Sequence, residues 1–173
     1  MQTQTDKAAV PARRGPYTKH WPRKNLGEFL NFLDRLYPGG YSLQDLSDAT
    51  GMTVPNLSQM FIRDDAKLSK MEELAGKFGY SLTLYYPQKT RFLAEMHSVP
   101  EKHYPNAGNL AGLAKYIQDS NISINHMSIR VGRAFCLISN AFKKGDIKLS
   151  ALYEILKNLN INVIWTFEKI EQS

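Results

Sequence analysis

Slid against itself by 81 positions, the chain matches without a gap from residues 42–86 to residues 123–167. Leu43 meets Ile124, Leu46 meets Met127, Ser47 meets Ser128 and Gly51 meets Gly132. Leu57 then meets Ile138, Ser58 meets Ser139, Phe61 meets Phe142, and "KLS" recurs at Lys67 and Lys148. Upstream, "NLGEFLNFLDRLYPGGY" answers "NLAGLAKYIQDSNI", with three extra residues in the first copy. A repeat of this kind constrains the fold more than any other feature, because each copy is one supersecondary unit that has to bury its apolar face against a neighbour. The chain divides accordingly into an arm (1–24), a first copy (25–87), a linker (88–108), a second copy (109–168) and a tail (169–173).

Each copy reads as four short helices and a strand. Leu26, Phe29, Leu30 and Leu33 recur at helical spacing, as do Leu110, Leu113, Ala114 and Ile117, and such spacing lays an apolar stripe along a helix. Ser42 and Ser123 are placed to cap the second helix, and Gly51 and Gly132 to end it in a left-handed turn. Thr53 is the expected cap of the third helix, with Pro55 in its first turn. Ser69 and Glu72 fit a capping box at the start of the fourth. Leu82, Leu84 and Tyr86 alternate with polar or aromatic neighbours, and Ile161, Val163, Trp165 and Phe167 occupy the matching face, which is a strand pattern. One strand alone leaves its edges unpaired. The expectation is a mainly α protein whose two strands, over 80–86 and 161–168, pair into a small antiparallel sheet. The two copies then form a dimer within a single chain.

Of the 173 residues, 43% are hydrophobic and 22% charged, which suits a globular protein. No apolar run reaches the roughly 20 residues that cross a bilayer, and the N-terminus lacks the apolar block of a signal peptide. A cytoplasmic protein without membrane partners is expected. Cys136, within "AFCLI", is the single cysteine and reads as a small buried hydrophobe. The net charge of +6 is unevenly distributed: residues 1–24 carry six Lys/Arg against one acidic residue, the first copy is −3, and the second is +3. Basic arms of this composition do not fold alone and often contact phosphates.

The segment "SLQDLSDATGMTVPNLSQMFIRDDAKLSKMEELAGKFGYSL" resembles the helix-turn-helix domain of the phage-repressor (lambda/Cro-like, XRE) family. The likeness rests on the Ser-capped helix, the Leu46–Ser47 pair, Gly51 in the turn and Leu57–Ser58 in the next helix. It continues through Leu68, Met71, Leu74 and Ala75 to Phe78–Gly79. The terminal strands resemble those that seal homodimers in the antitoxin-like branch of the family. In such domains the third helix enters the major groove, and the start of the second holds phosphate. The resemblance therefore implies Thr53, Val54, Asn56, Ser58 and Gln59 as groove residues of the first copy, with Gln44 at phosphate. For the second copy it implies Arg133, Ser139, Asn140, Lys143 and Lys144, with Asn125 at phosphate. Asn and Gln suit adenine, and Arg133 suits guanine.

Two features depart from the family pattern. Asp64 and Asp65 follow the third helix of the first copy where a basic residue or glycine is common, and "AFCLISNAF" is apolar for a base-reading helix. Phe135 and Leu137 are expected to be buried against the other copy or a partner. Arg13, Arg14, Lys19, Arg23 and Lys24 of the arm are expected to supply positive charge along a groove. The aromatic residues at Tyr85 and Trp165 alternate at the strand seam, where packing is expected ahead of base stacking, but Tyr85 points away from the Leu84 face and both roles stay open for it.

An enzyme is not expected. The four histidines, His20, His97, His103 and His126, lack metal-ligand spacing. No nucleophile elbow or phosphate-cradling glycine loop occurs, and no cofactor is implied. The expected function is sequence-specific binding of double-stranded DNA in transcription regulation, by a monomeric pseudo-dimer or a further homodimer. The alternative is an antitoxin-like or phage-type protein-interaction module in which one or both copies no longer bind DNA.

Overall fold

A computed structural model describes residues 21–85, 109–119 and 122–171. It is mainly helical. The first four helices are α1 (Gly27–Leu36), α2 (Leu43–Thr50), α3 (Val54–Arg63) and α4 (Leu68–Lys77), followed by β1 (Tyr80–Tyr85). Next come α5 (Asn109–Asp119), α6 (Ile124–Val131), α7 (Phe135–Lys144) and α8 (Leu149–Leu159), followed by β2 (Ile164–Lys169). The linker 88–108, Tyr86, and the ends 1–20 and 172–173 lie outside the described residues.

The apolar periodicities become the core. Leu26, Phe29, Leu30 and Leu33 are all buried, with Phe32 between them, and Leu110, Leu113 and Ile117 are buried on α5. Side chains from both ends of the chain join one continuous apolar cluster. Ser42 caps α2 through a full box: its Oγ accepts the Asp45 N–H at 3.1 Å, and the Asp45 carboxylate accepts the Ser42 N–H at 2.8 Å. Gly51 and Gly132 close α2 and α6 at φ +73° and +67°, where a side chain would be strained. Ser123 and Thr53 occupy their expected cap positions without a side-chain capping bond.

β1 and β2 run antiparallel from Tyr80 opposite Lys169 to Tyr85 opposite Ile164. The buried face carries Leu82 opposite Phe167 and Leu84 opposite Trp165. The last of these pairs joins residues 81 apart in the chain. Phe32 of α1 stacks on Phe167 with ring centroids 4.0 Å apart, so α1 packs over β2. Asn109, at the start of α5, completes the outer edge of β1: its Oδ1 accepts from Leu84 N–H at 2.7 Å, and its Nδ2 donates to Leu82 O at 2.8 Å. An edge strand thereby gains partners it would otherwise lack. The expected pairing is present, but β2 begins later than residue 161. The Ile161 N–H donates to Leu156 O at 2.9 Å beyond a left-handed Asn160 (φ +54°), so this residue closes α8 instead of entering the sheet. Lys169 belongs to β2, and the Ile170 N–H donates to Gly79 O at 2.8 Å, so the expected tail starts too early.

The capping box expected at Ser69 and Glu72 does not form. Lys67 is the N-cap of α4, Ser69 lies inside the helix, and Glu72 accepts from Asn109 Nδ2 at 2.6 Å. The N-terminus of α4 lies beside that of α8. Leu68 N–H donates to Ile147 O and Leu149 N–H to Ala66 O, both at 2.8 Å. Each helix start is then capped from the other half. Asp146 accepts from Ser69 N–H and Oγ at 3.1 and 2.9 Å, and Asp65 accepts from Ser150 N–H and Oγ at 3.0 and 2.8 Å. A carboxylate at a helix N-terminus satisfies orphan donors and complements the helix dipole. Asp65→Ala is expected to lower stability by about 1–2 kcal/mol, read as a reduced urea midpoint. A drop below about 0.3 kcal/mol would remove this carboxylate from the energetics of the junction.

Burial pushes the hydroxyls of Tyr41 and Tyr153 up from 10 to about 12. Because the folded value is the higher one, their contribution is intact below the unfolded value and is lost as pH rises from 10 towards 12. Tyr41→Phe is expected to reduce the fall of the urea midpoint between about pH 10 and 12. The buried Tyr41 hydroxyl has no hydrogen-bond partner among the described residues, so the same change is expected to leave stability at neutral pH unchanged or slightly higher.

Candidate nucleic-acid interface

Two helix pairs, α2–α3 and α6–α7, are each joined by a three-residue turn that begins at a left-handed glycine. Small residues stand on the inner side of the first helix of each pair: Ser47 is half-buried, and Ser128 is buried with its Oγ donating to Asn125 O at 2.8 Å. The second helix of each pair presents one face to solvent. On α3 this face consists of Pro55, Asn56, Gln59, Ile62 and Arg63; on α7 it consists of Cys136, Leu137, Asn140, Lys143 and Lys144. Every member of the second set lies 81 positions after a member of the first.

Of the residues expected to contact bases, Thr53, Asn56, Gln59, Asn140, Lys143 and Lys144 are exposed, whereas Val54, Ser58 and Ser139 are half-buried. These three turn partly inward because they flank the buried Leu57 and Ile138, which anchor the helices. Cys136 is exposed, contrary to the expectation of a buried thiol. Leu137 is 59% exposed rather than packed against the other half. Both fall on the outward side because Ile138, next along the helix, takes the inward direction.

Gln44 and Asn125 are exposed in the first turns of α2 and α6, and Gln44 Nε2 donates to Asp48 Oδ1 at 2.7 Å. Arg133 Nε is paired with Glu154 Oε2 of α8 at 2.8 Å. Arg23 is also engaged: its guanidinium donates to Asn31 Oδ1 at 2.8 Å and pairs with Asp34 Oδ2 at 2.9 Å. Trp21 rests against Phe61 with centroids 5.4 Å apart. Residues 21–24 thus dock on the helices rather than continuing the arm, although Lys24 is exposed. Arg13, Arg14 and Lys19 lie outside the described residues, as do His20, His97 and His103. Among the described residues, no group of three His, Cys, Asp or Glu is arranged to hold a metal ion.

The acidic residues after α3 are engaged within the fold. Asp64 is 6% exposed and accepts the N–H groups of Asn25 and Leu26, both at 2.9 Å. Asp65 caps α8, as described above. Both carboxylates are tied to backbone donors, and the surface beside them carries cations. Lys67 and Lys148 bridge backbone to backbone where α4 and α8 begin, and both side chains are exposed. Lys144 lines the same cavity as Lys67 and Lys148, with Lys67 3.7 Å from Asp146, and Arg63 and Lys143 lie in the last turns of α3 and α7. Sequence reasoning missed Arg63, Lys67 and Lys148. The first was recoverable, since Arg63 lies 81 residues before Lys144; the juxtaposition of the two lysines was not.

No helix among the described residues is long and apolar enough to cross a membrane. No family model matches this chain, and neither the curated proteins nor the solved structures contain a match.

Proposed function

We propose that this chain is a tandem repeat of two repressor-like helix-turn-helix units, a pseudo-dimer that binds double-stranded DNA in a sequence-specific manner and regulates transcription. The observation that carries the reading is the matched pair of outward helix faces on α3 and α7. Its geometric support is the junction between the halves. Leu84 faces Trp165, and Lys67 faces Lys148, each pair 81 residues apart, as a pseudo-two-fold axis through both pairs requires. Two such helices reading successive major grooves engage half-sites about 34 Å apart. The faces differ in chemistry, so the half-sites differ too. Asn56 and Gln59 suit adenine edges, whereas Asn140 sits with Lys143 and Lys144 beside phosphates.

The experiment is fluorescence-anisotropy titration of a mixed-sequence duplex at about 50 and 200 mM salt, with the full chain and with a variant lacking residues 1–20. Affinity that falls steeply with salt, and falls further without the arm, is the expected result. No binding at the lower salt by the folded protein would reject the reading. Ile62 at 62% exposure and Leu137 at 59% favour a second reading, in which these same faces meet a protein partner.

A further inference from the structure

A cavity of about 350 Å³ opens between α7 and α8, beside the start of α4. Its floor is apolar, formed by Ile138, Ala141, Ile147, Ala151 and Ile155. Lys67, Lys144 and Lys148 line it as well, and Leu137 lies on its exposed side. Arg133 contributes too, but is already neutralised by Glu154. The one carboxylate in the lining, Asp146, caps α4 through Ser69 and lies 3.7 Å from Lys67 Nζ. Among the described residues no carboxylate forms an ion pair with Lys144 or Lys148.

The first half is built differently at the corresponding positions. Where α7 has Ala141, α3 has Met60 81 residues earlier, and Met60 is buried at 8% exposure. Where α8 has Ala151, α4 has Lys70, which pairs with Glu73 at 2.7 Å. Two alanines therefore leave space in one half where longer side chains stand in the other.

We infer that this cavity binds an amphipathic anion: an apolar body the size of a medium-chain acyl group or a fused bicyclic ring, bearing a carboxylate or sulfonate. The apolar floor removes the body from water, and the lysines at the rim meet the charge without the ligand having to bury it unpaired. Lys67 belongs to the other half, so the complete site exists only when the two halves are joined. A bound ligand covers Asn140 and Lys144 and opposes duplex binding; this consequence, unlike the site itself, rests on the DNA reading.

The test is calorimetric titration of the full chain with sodium octanoate and, separately, with octan-1-ol. Octanoate is expected to bind at least about tenfold more tightly than the alcohol. Ala141→Met, which places in α7 the residue that α3 already carries, is expected to weaken octanoate at least about tenfold. The double variant Lys144→Gln/Lys148→Gln is expected to weaken octanoate at least about threefold while leaving octan-1-ol unchanged. Should Ala141→Met fail to fold, by circular dichroism, the lysine variant decides. Equal affinity for alcohol and carboxylate, no octanoate binding, or undiminished binding by a folded Ala141→Met or by the lysine variant overturns the site. Octanoate binding without duplex binding keeps the site and rejects the DNA reading. Duplex binding without octanoate binding does the reverse.

Discussion

Trp165→Ala is expected to lower stability by about 3–5 kcal/mol, the largest loss available from a single side chain at the junction. Trp165 is 8% exposed, stands opposite Leu84 and lies 6.1 Å from the Phe167 ring, centroid to centroid. Phe167 in turn stacks on Phe32 of α1. Removing the indole leaves a void on the face that joins β1 to β2, and a two-stranded sheet has no further strand to compensate. Domains of this size are stable by only about 5–15 kcal/mol, so about a fifth of the total or more is at stake. The urea midpoint should fall sharply. Ile164, 52% exposed on the opposite face of the same strand, provides the control: Ile164→Thr is expected to change stability by less than about 0.5 kcal/mol. A loss under about 1 kcal/mol for Trp165→Ala would mean that the sheet does not hold the two halves together.

The second large effect concerns affinity. Alanine at Lys67, Lys143, Lys144 and Lys148 together is expected to weaken duplex binding at about 50 mM salt by about a hundredfold or more. Each phosphate that a lysine no longer neutralises lowers the slope of log affinity against log salt by about 0.9. Four such phosphates reduce the slope by about three to four. All four side chains are exposed, so the same variant should unfold within about 0.5 kcal/mol of the native chain. Lys77 and Lys157 lie in the last turns of α4 and α8, roughly 15 Å along each helix from Lys67 and Lys148. Replacing them with alanine is expected to leave the slope unchanged. A slope that drops equally for both sets would mean diffuse attraction by net charge instead of a face built around the junction.

Much of the architecture was legible because it depends on local periodicity. The spacing of Leu26, Phe29, Leu30 and Leu33 places one helical stripe in the core, whatever that stripe meets. Gly51 and Gly132 end helices because their left-handed backbone favours a residue without a side chain. The alternation around Leu84 and Trp165 predicts strands, and the repeat predicts that the two strands pair; the register that sets Leu84 opposite Trp165 comes from the structure. Asn56, Gln59, Asn140, Lys143 and Lys144 could be assigned to the outward side from the same helical period.

Where sequence reasoning failed, the missing information was a partner distant in the chain. Asp64 and Asp65 are two more carboxylates in the sequence; only the fold brings Leu26 and Ser150 to them and turns an apparent obstacle to anion binding into two caps. Arg23 reads as part of a free basic arm until Asn31 and Asp34 are placed beside it. Cys136 and Leu137 are apolar in composition yet exposed, because helix phase rather than hydrophobicity sets their direction. The sequence by itself determined the helices, the strands and which faces are apolar, since these follow from spacings of a few residues. The tertiary structure alone decided which charges are neutralised, as Lys67 is by Asp146, and which have no ion pair among the described residues, as Lys148, because electrostatic partners are set by distance in space and not along the chain.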